Sequence, residues 1–239
     1  MTRAIQLLCL IALSANNAAA PGETVVLLHG LGRDAGAMSF IGRELRRAGF
    51  EVIALDYPSR SLPPDALIAL LRYQVIQCCR YKARVHFVGH SLGGLLLRGL
   101  LARKPVQHLG RVVLLGTPNQ GSELADLLER PAWRWARRLA GPTATRLGTA
   151  GDSFPKRLPP PEYELGIIAG DHSLNPFGSW LLPGPDDGVV SVASTRLPGM
   201  RDFLVAPSGH GLMRYSRYIS NAVIHFLRHG RFPARETPR

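Results

Sequence analysis

The sequence predicts an α/β fold in which helices cover both faces of a doubly wound, mainly parallel sheet. Two observations support this prediction. Short apolar runs rich in β-branched residues alternate along the chain with segments of helical period. The runs are nearly continuous in apolar residues, as strands buried on both faces are. With 239 residues, the chain is long enough for one such domain with a sizeable core.

The predicted elements follow one another in the order that this fold requires. The predicted strands are residues 24–29, 51–55, 84–88, 111–116, 164–169, 189–192 and a last strand near 203–205. The predicted helices are residues 37–48, 63–80, 92–103, 123–138 and 215–229. Gly49 ends the first helix, and two prolines open the second, where no backbone hydrogen bond is lost.

One segment breaks this alternation. Residues 122–162 contain one helical piece and then several glycines and prolines, including Pro159-Pro160-Pro161. We interpret this segment as an insertion over the sheet edge and call it the lid. The sequence therefore predicts a single domain over residues 21–239 that includes a short helical lid.

Residues 1–20 resemble a secretory signal peptide. Arg3 supplies the positive start, residues 5–13 are mostly apolar, and Ala18-Ala19-Ala20 fits a cleavage site. Pro21 would hinder cleavage directly after Ala20, so earlier cleavage or a retained N-terminal segment stays open, and a cytosolic first strand is the alternative. We expect a periplasmic or secreted protein.

The charge balance is strongly basic, with a formal net charge of +12. The arginines are scattered except for a cluster at residues 130–138, and no helix-turn-helix, zinc or RNA-binding signature is present. We therefore expect no nucleic-acid partner. Residues 131–138 mix tryptophan with arginine, which suits contact with a membrane surface, or else two tryptophans packed on the core. No segment is apolar and long enough to predict a transmembrane helix.

The three cysteines predict no disulfide framework. Cys9 lies in the signal-like segment, and Cys78 and Cys79 are adjacent in a predicted helix. Adjacent cysteines cannot form an ordinary disulfide without strain, so we expect two unpaired, partly buried core residues.

The main chemical signal is a serine between two glycines. A β-rich run ends at Val88, Gly89-His90-Ser91-Leu92-Gly93 follows, and a leucine-rich helical segment begins at Leu92. Strand, sharp turn and helix in this order predict a nucleophile elbow that exposes the Ser91 hydroxyl at the carboxyl edge of the sheet. The glycines allow the turn to close.

A serine hydroxyl needs a base to accept its proton. In this fold the histidine comes last in the chain, which favours His210, in a loop after the last predicted strand. His225 and His229 are four residues apart on the terminal helix, a spacing seen in metal pairs. No carboxylate lies beside them in sequence, so we interpret them as a solvated helix face and predict no metal site.

The acid that orients the base has three candidates. Asp187 and Asp186 precede the β-branched run Val189-Val190, and Asp171 closely follows the strand at 164–169. An Asp-Gly turn at a strand edge lies within reach of a following histidine loop. We rank Asp187 first, Asp171 second and Asp186 third. The candidates that do not act as the acid are interpreted as turn residues.

Backbone N–H groups should stabilise the oxyanion that forms when the serine attacks. Leu92, directly after the serine, supplies one, and Leu31, in the loop after the first strand, supplies the other. Because these residues act through the main chain, their side chains could equally line an acyl pocket.

Five segments together resemble bacterial lipases and esterases of the α/β-hydrolase superfamily. They are His29-Gly30-Leu31-Gly32, Gly89-His90-Ser91-Leu92-Gly93-Gly94, Gly116-Thr117-Pro118-Asn119-Gln120-Gly121-Ser122, Asp187-Gly188-Val189-Val190 and Ser208-Gly209-His210. The resemblance implies the α/β-hydrolase fold, with Ser91 as nucleophile, Asp187 as acid and His210 as base. It also implies hydrolysis through an acyl-enzyme without an organic cofactor. Some relatives bind calcium, but no clear set of oxygen ligands is present here.

We therefore expect a serine hydrolase that cleaves carboxylic esters, with lipid-like acyl chains as substrates. An acyltransferase or thioesterase with the same three residues is one alternative. A non-catalytic binding protein on a hydrolase scaffold is another. The lid is shorter than that of large lipases, which keeps a plain esterase open.

Overall fold

The computed structural model describes residues 22–103 and 106–234. The predicted signal peptide lies outside the described residues. The strands of the described part form one sheet: β1 Glu23–Leu28, β2 Glu51–Leu55, β3 Arg84–His90, β4 Leu109–Leu115, β5 Leu165–Gly170 and β6 Asp202–Ala206. Their order is β2-β1-β3-β4-β5-β6, and every neighbouring pair is parallel.

Helices connect these strands and cover the sheet. They are α1 Ser39–Arg47, α2 Pro64–Cys79, α3 Leu92–Arg103, α4 Glu123–Asp126, α5 Arg134–Ala144, α6 Phe154–Arg157, α7 Pro176–Leu181, α8 Val192–Thr195 and α9 Arg217–His229. Helical turns of the 3₁₀ type precede α1 and α9 and lie between α4 and α5.

The sheet is buried on both faces, and successive strand residues point to opposite sides. On one face, Leu71 of α2 and Leu96 of α3 share a buried cluster with Val26. On the other face, Phe226 of α9 lies in a second buried cluster with Val25. This layering explains the nearly continuous apolar strands and confirms the predicted fold class.

The sheet order positions the site. The chain runs from β1 outward to β2, then returns past β1 to β3 and continues in the opposite direction. The adjacent strands β1 and β3 therefore lead into connections that diverge at their carboxyl ends. In open α/β sheets such a point forms a crevice that binds ligands. The loop after β1 and the turn after β3 meet there.

Three local predictions are wrong. Residues 189–192 form no strand, since the structure has only an isolated bridge between Asp186 and Ser191 there, and α8 starts at Val192. The predicted helix over 123–138 is divided into short pieces around Pro131, which has no N–H to continue a helix. Cys78 and Cys79 are joined by a disulfide at the end of α2.

None of the helices in the described part of the chain combines the length and apolar character that a membrane crossing needs.

Candidate active site

Ser91 occupies a tight turn between β3 and α3. Its φ of 54° lies in the left-handed region, which non-glycine residues rarely adopt and which is strained for them. The turn closes only because its flanking residues have no side chain. A Cβ on Gly89 would lie 2.7 Å from the Gly94 Cα, and one on Gly93 would lie 2.6 Å from the His29 carbonyl oxygen. The predicted elbow is thus present in the backbone.

Three of the predicted site residues form a hydrogen-bonded chain. His210 Nε2 lies 3.0 Å from Ser91 Oγ, and His210 Nδ1 lies 2.8 Å from Asp187 Oδ2. Because a carboxylate only accepts hydrogen bonds, the His210 proton is on Nδ1 and Nε2 is free to accept from the serine hydroxyl. The carboxylate, the imidazole ring and the hydroxyl are therefore arranged for proton transfer from Ser91 to His210.

Asp187 is fixed in place by its own turn. Its side chain is fully buried, and its second oxygen accepts hydrogen bonds from the N–H groups of Val189 and Val190 at 3.0 and 2.8 Å. Its backbone carbonyl accepts from the His210 N–H at 2.9 Å. The same residue therefore holds both the main chain and the ring of His210.

The two competing carboxylates have other partners. Asp186 accepts hydrogen bonds from Ser179 Oγ at 2.8 Å and from the Gly188 N–H at 2.7 Å, which makes it a turn residue. Asp171 pairs with the exposed His172 at 2.8 Å. Of the three candidate acids, Asp187 is the one that the structure places within hydrogen-bond distance of His210.

The two predicted backbone donors lie beside the serine. Leu92 is the first residue of α3, and Leu31 follows Gly30, where a Cβ would lie 3.3 Å from the Ser91 Cβ. Within the described residues, neither N–H donates to a protein acceptor. The positive end of the α3 dipole also points toward the serine. This edge of the site can stabilise negative charge.

The sequence and the fold were compared with those of known proteins. A family model described as "Alpha/beta hydrolase family" matches residues 25–233. The chain belongs to the alpha/beta hydrolase family. No curated protein sequence matches it significantly.

Solved structures share the alpha/beta hydrolase fold. The propeptide form of the Bacillus licheniformis lipase BlEst2 superposes with a TM-score of 0.74 at 22% identity, covering 92% of this chain and 53% of that one. The present chain thus spans about half the length of that form. The mature form superposes with a TM-score of 0.68 at 23% identity, covering 82% of this chain and 88% of that one. Phospholipase PlaB from Legionella pneumophila gives 0.65 at 18% identity, with coverages of 86% and 57%.

A cavity of about 420 Å³ opens at Ser91, a volume typical of small-molecule sites in proteins. The lid covers one side with Leu124, Leu128 and Leu147, and the turn after Asp187 adds Val189 and Val190. Leu31 lines the cavity, whereas the side chain of Leu92 is buried in the core. The cavity is apolar along the lid and can hold an acyl chain.

His90 is a site residue that the sequence analysis treated only as the spacer of the elbow. Its buried ring donates a hydrogen bond from Nε2 to the His210 carbonyl oxygen at 2.9 Å. Burial lowers the pKa of His90 well below its usual value, and the nearby His210 lowers it further. A neutral His90 thus holds the backbone of His210 without adding a second positive charge.

The lid and the neighbouring helix α7 expose aromatic side chains. Trp133 stacks on Trp135, with ring centroids 6.3 Å apart, and contacts Phe177 of α7. Trp135 is 66% exposed and Trp180 is 80% exposed. We call this the lid surface; its other members are Leu139 and the exposed arginines Arg130, Arg134, Arg137 and Arg138. The tryptophan at position 135 does not pack on the core.

His225 and His229 lie close together, with ring centroids 4.5 Å apart, and His225 Nδ1 donates to the Arg231 carbonyl oxygen. In the described parts of the chain, no group of three His, Cys, Asp or Glu side chains could hold a metal ion.

Proposed function

We propose that this alpha/beta hydrolase cleaves carboxylic esters through an acyl-enzyme, with Ser91 as nucleophile, His210 as general base and Asp187 as the orienting acid. The observation that supports the proposal most is the continuous hydrogen-bonded chain from Asp187 through His210 to Ser91. Three side chains from distant parts of the sequence meet at the crevice in the order that acyl transfer needs.

The chemistry follows from the geometry. Ser91 Oγ attacks the ester carbonyl carbon while His210 Nε2 takes the hydroxyl proton, and the buried Asp187 carboxylate stabilises the imidazolium that forms. The N–H groups of Leu31 and Leu92 then bind the oxyanion. His210 returns its proton to the leaving alcohol. Water, activated by the same nitrogen, releases the acid and regenerates Ser91.

We further propose lipid-like acyl esters as substrates, supported by the leucines and valines along the lid side of the cavity. The lid surface supports a related proposal, contact with an anionic lipid surface. Tryptophan rings suit the interface between water and hydrocarbon, and arginines attract anionic headgroups. Together with the signal-like residues 1–20, these features favour an exported protein in the periplasm or outside the cell.

The test is turnover of a soluble p-nitrophenyl ester by Ser91→Ala. We expect the rate to fall by at least about 10⁴-fold without a change in thermal unfolding, because the nucleophile is lost. Ser122→Ala is the matched control, since Ser122 lines the same cavity and, among the described residues, its hydroxyl donates only to the Val189 carbonyl oxygen. Turnover by Ser91→Ala at the wild-type rate would refute the proposal.

Product analysis separates the related activities. With water as the sole acceptor, the hydrolase releases free acid. Formation of a new ester from an added alcohol at a higher rate than hydrolysis would instead indicate an acyltransferase, and faster cleavage of the matched thioester a thioesterase.

A further inference from the structure

Two arginines line the same cavity as the lid leucines. Arg33 lies in the loop after β1, two residues beyond Leu31, and Arg214 lies in the 3₁₀ turn Leu212–Tyr215, four residues beyond His210. They thus lie in the two chain segments that follow the proposed oxyanion donor and the proposed base. Among the residues that line this cavity, none is an aspartate or a glutamate.

Neither arginine is neutralised by a carboxylate in the described part of the chain. Arg214 is 5% exposed; its Nη1 donates to the Ala37 carbonyl oxygen at 2.9 Å, and its buried Nε has no hydrogen-bond partner there. The adjacent Asp34 instead accepts a hydrogen bond from the Ala37 N–H. A buried guanidinium without a counter-ion is costly, and an incoming anion would relieve that cost.

The two guanidinium groups also repel each other. Burial lowers the pKa of Arg214, the neighbouring Tyr215 acts in the opposite direction, and the positive charge of Arg33 lowers the pKa further. A second cation close by raises the cost of burying the first, and this favours binding of a negatively charged group.

From this arrangement we propose that the cavity takes acyl esters whose alcohol part carries an anionic phosphate, bound by Arg33 and Arg214. The proposal rests on the ester hydrolysis proposed above. His210 must protonate the leaving alcohol, so that alcohol lies on the His210 side, where Arg214 is. Guanidinium forks pair well with phosphate oxygens, while the acyl chain extends along the lid leucines.

The test compares two soluble esters, hexanoyl glycerophosphate and hexanoyl glycerol, which share the acyl group and differ in the phosphate. We expect wild-type kcat/KM to favour the phosphate ester by at least about tenfold. Arg33→Gln should lower kcat/KM for the phosphate ester by about tenfold, since a charge-assisted hydrogen bond is removed. It should change kcat/KM for the neutral ester by less than about twofold. Hexanoyl glycerate, with a carboxylate instead, shows whether phosphate geometry or charge alone matters.

Arg157→Gln is the matched control, because it removes an equally exposed positive charge that does not line the cavity. It should leave the preference unchanged. Arg214→Lys is the second variant, since it keeps the charge at a buried position but loses the fork. We expect it to retain part of the preference. If Arg33→Gln lowers kcat/KM equally for both esters, the proposal is overturned and the arginine is assigned to oxyanion stabilisation.

Binding separates this proposal from the proposed function. In the Ser91→Ala background, calorimetry should show hexanoyl glycerophosphate binding at least about tenfold tighter than hexanoyl glycerol, with the difference lost on adding Arg33→Gln. Equal binding of the two esters would overturn the anionic site even if wild type hydrolyses both. Preferential binding without hydrolysis by wild type would refute the ester hydrolase and leave the anionic site intact.

Discussion

The sheet edge around Ser91 and the lid above it are built in opposite ways. At the sheet edge, each functional group is fixed by its neighbours: Ser91 by a strained turn, Asp187 by two backbone N–H groups, and His210 by hydrogen bonds at its N–H, its carbonyl and both ring nitrogens. In the lid, helices are short, the chain turns at Gly141, and aromatic rings face solvent.

This difference suits the two roles proposed above, catalysis at the sheet edge and lipid contact at the lid surface. Catalysis by a preorganised site loses rate when a reacting group shifts by an ångström, so its residues need many fixed contacts. A surface that meets a lipid aggregate needs exposed apolar area and can tolerate replacement of single contacts. Substitutions at the sheet edge should therefore affect the chemical step, and substitutions in the lid should affect delivery of the substrate.

The larger expected effect is a loss of kcat when the Asp187 carboxylate is replaced. Asp187→Asn should lower kcat on a soluble ester by about 10³- to 10⁴-fold, because an amide at this position favours the wrong tautomer of His210. Asp186→Asn is the neighbouring control and should change kcat by less than about tenfold, since its carboxylate accepts from Ser179 and Gly188 and not from His210. Steady-state kinetics measures kcat of both variants, and thermal unfolding shows that both are folded. A larger loss in Asp186→Asn would contradict the assigned acid.

The smaller expected effect concerns the lid surface. Replacing Trp135 and Trp180 by serine should weaken binding to phosphatidylglycerol vesicles by roughly tenfold, because exposed rings that would enter the interface are lost. Hydrolysis of a soluble ester should change by less than about twofold. Vesicle flotation and ester turnover measure the two properties separately.

The control for the lid experiment removes two exposed aromatic rings elsewhere. Tyr73 and Tyr81 are 63% and 85% exposed and lie on or just after α2. If their replacement by serine weakens vesicle binding as much as the tryptophan substitutions do, the lid surface is not the contact.

Local sequence signals predicted most of the fold and, at the site, the nucleophile and the base. The elbow was predictable because its glycines, strand and helix are contiguous, and His210 because it stands between glycines after the last strand. The acid could only be ranked, since Asp171, Asp186 and Asp187 all occupy turns. Asp187 meets His210 through the long-range folding of two loops, which no spacing in the sequence encodes.

The missed features have one local cause and two long-range causes. The strand predicted at 189–192 does not form because the Asp187 carboxylate takes the N–H groups of Val189 and Val190 that a neighbouring strand would have used. His90 was missed because its partner is the backbone of a residue 120 positions away. Arg33 and Arg214 have no common sequence signal, and only the fold brings them to one cavity.

The most direct test of the account is covalent labelling with a fluorophosphonate followed by peptide mapping. We expect one adduct, on Ser91, formed much more slowly in His210→Gln because the serine then has no base to accept its proton. No adduct in the folded wild-type protein, or an adduct on another residue such as Ser122, would contradict it.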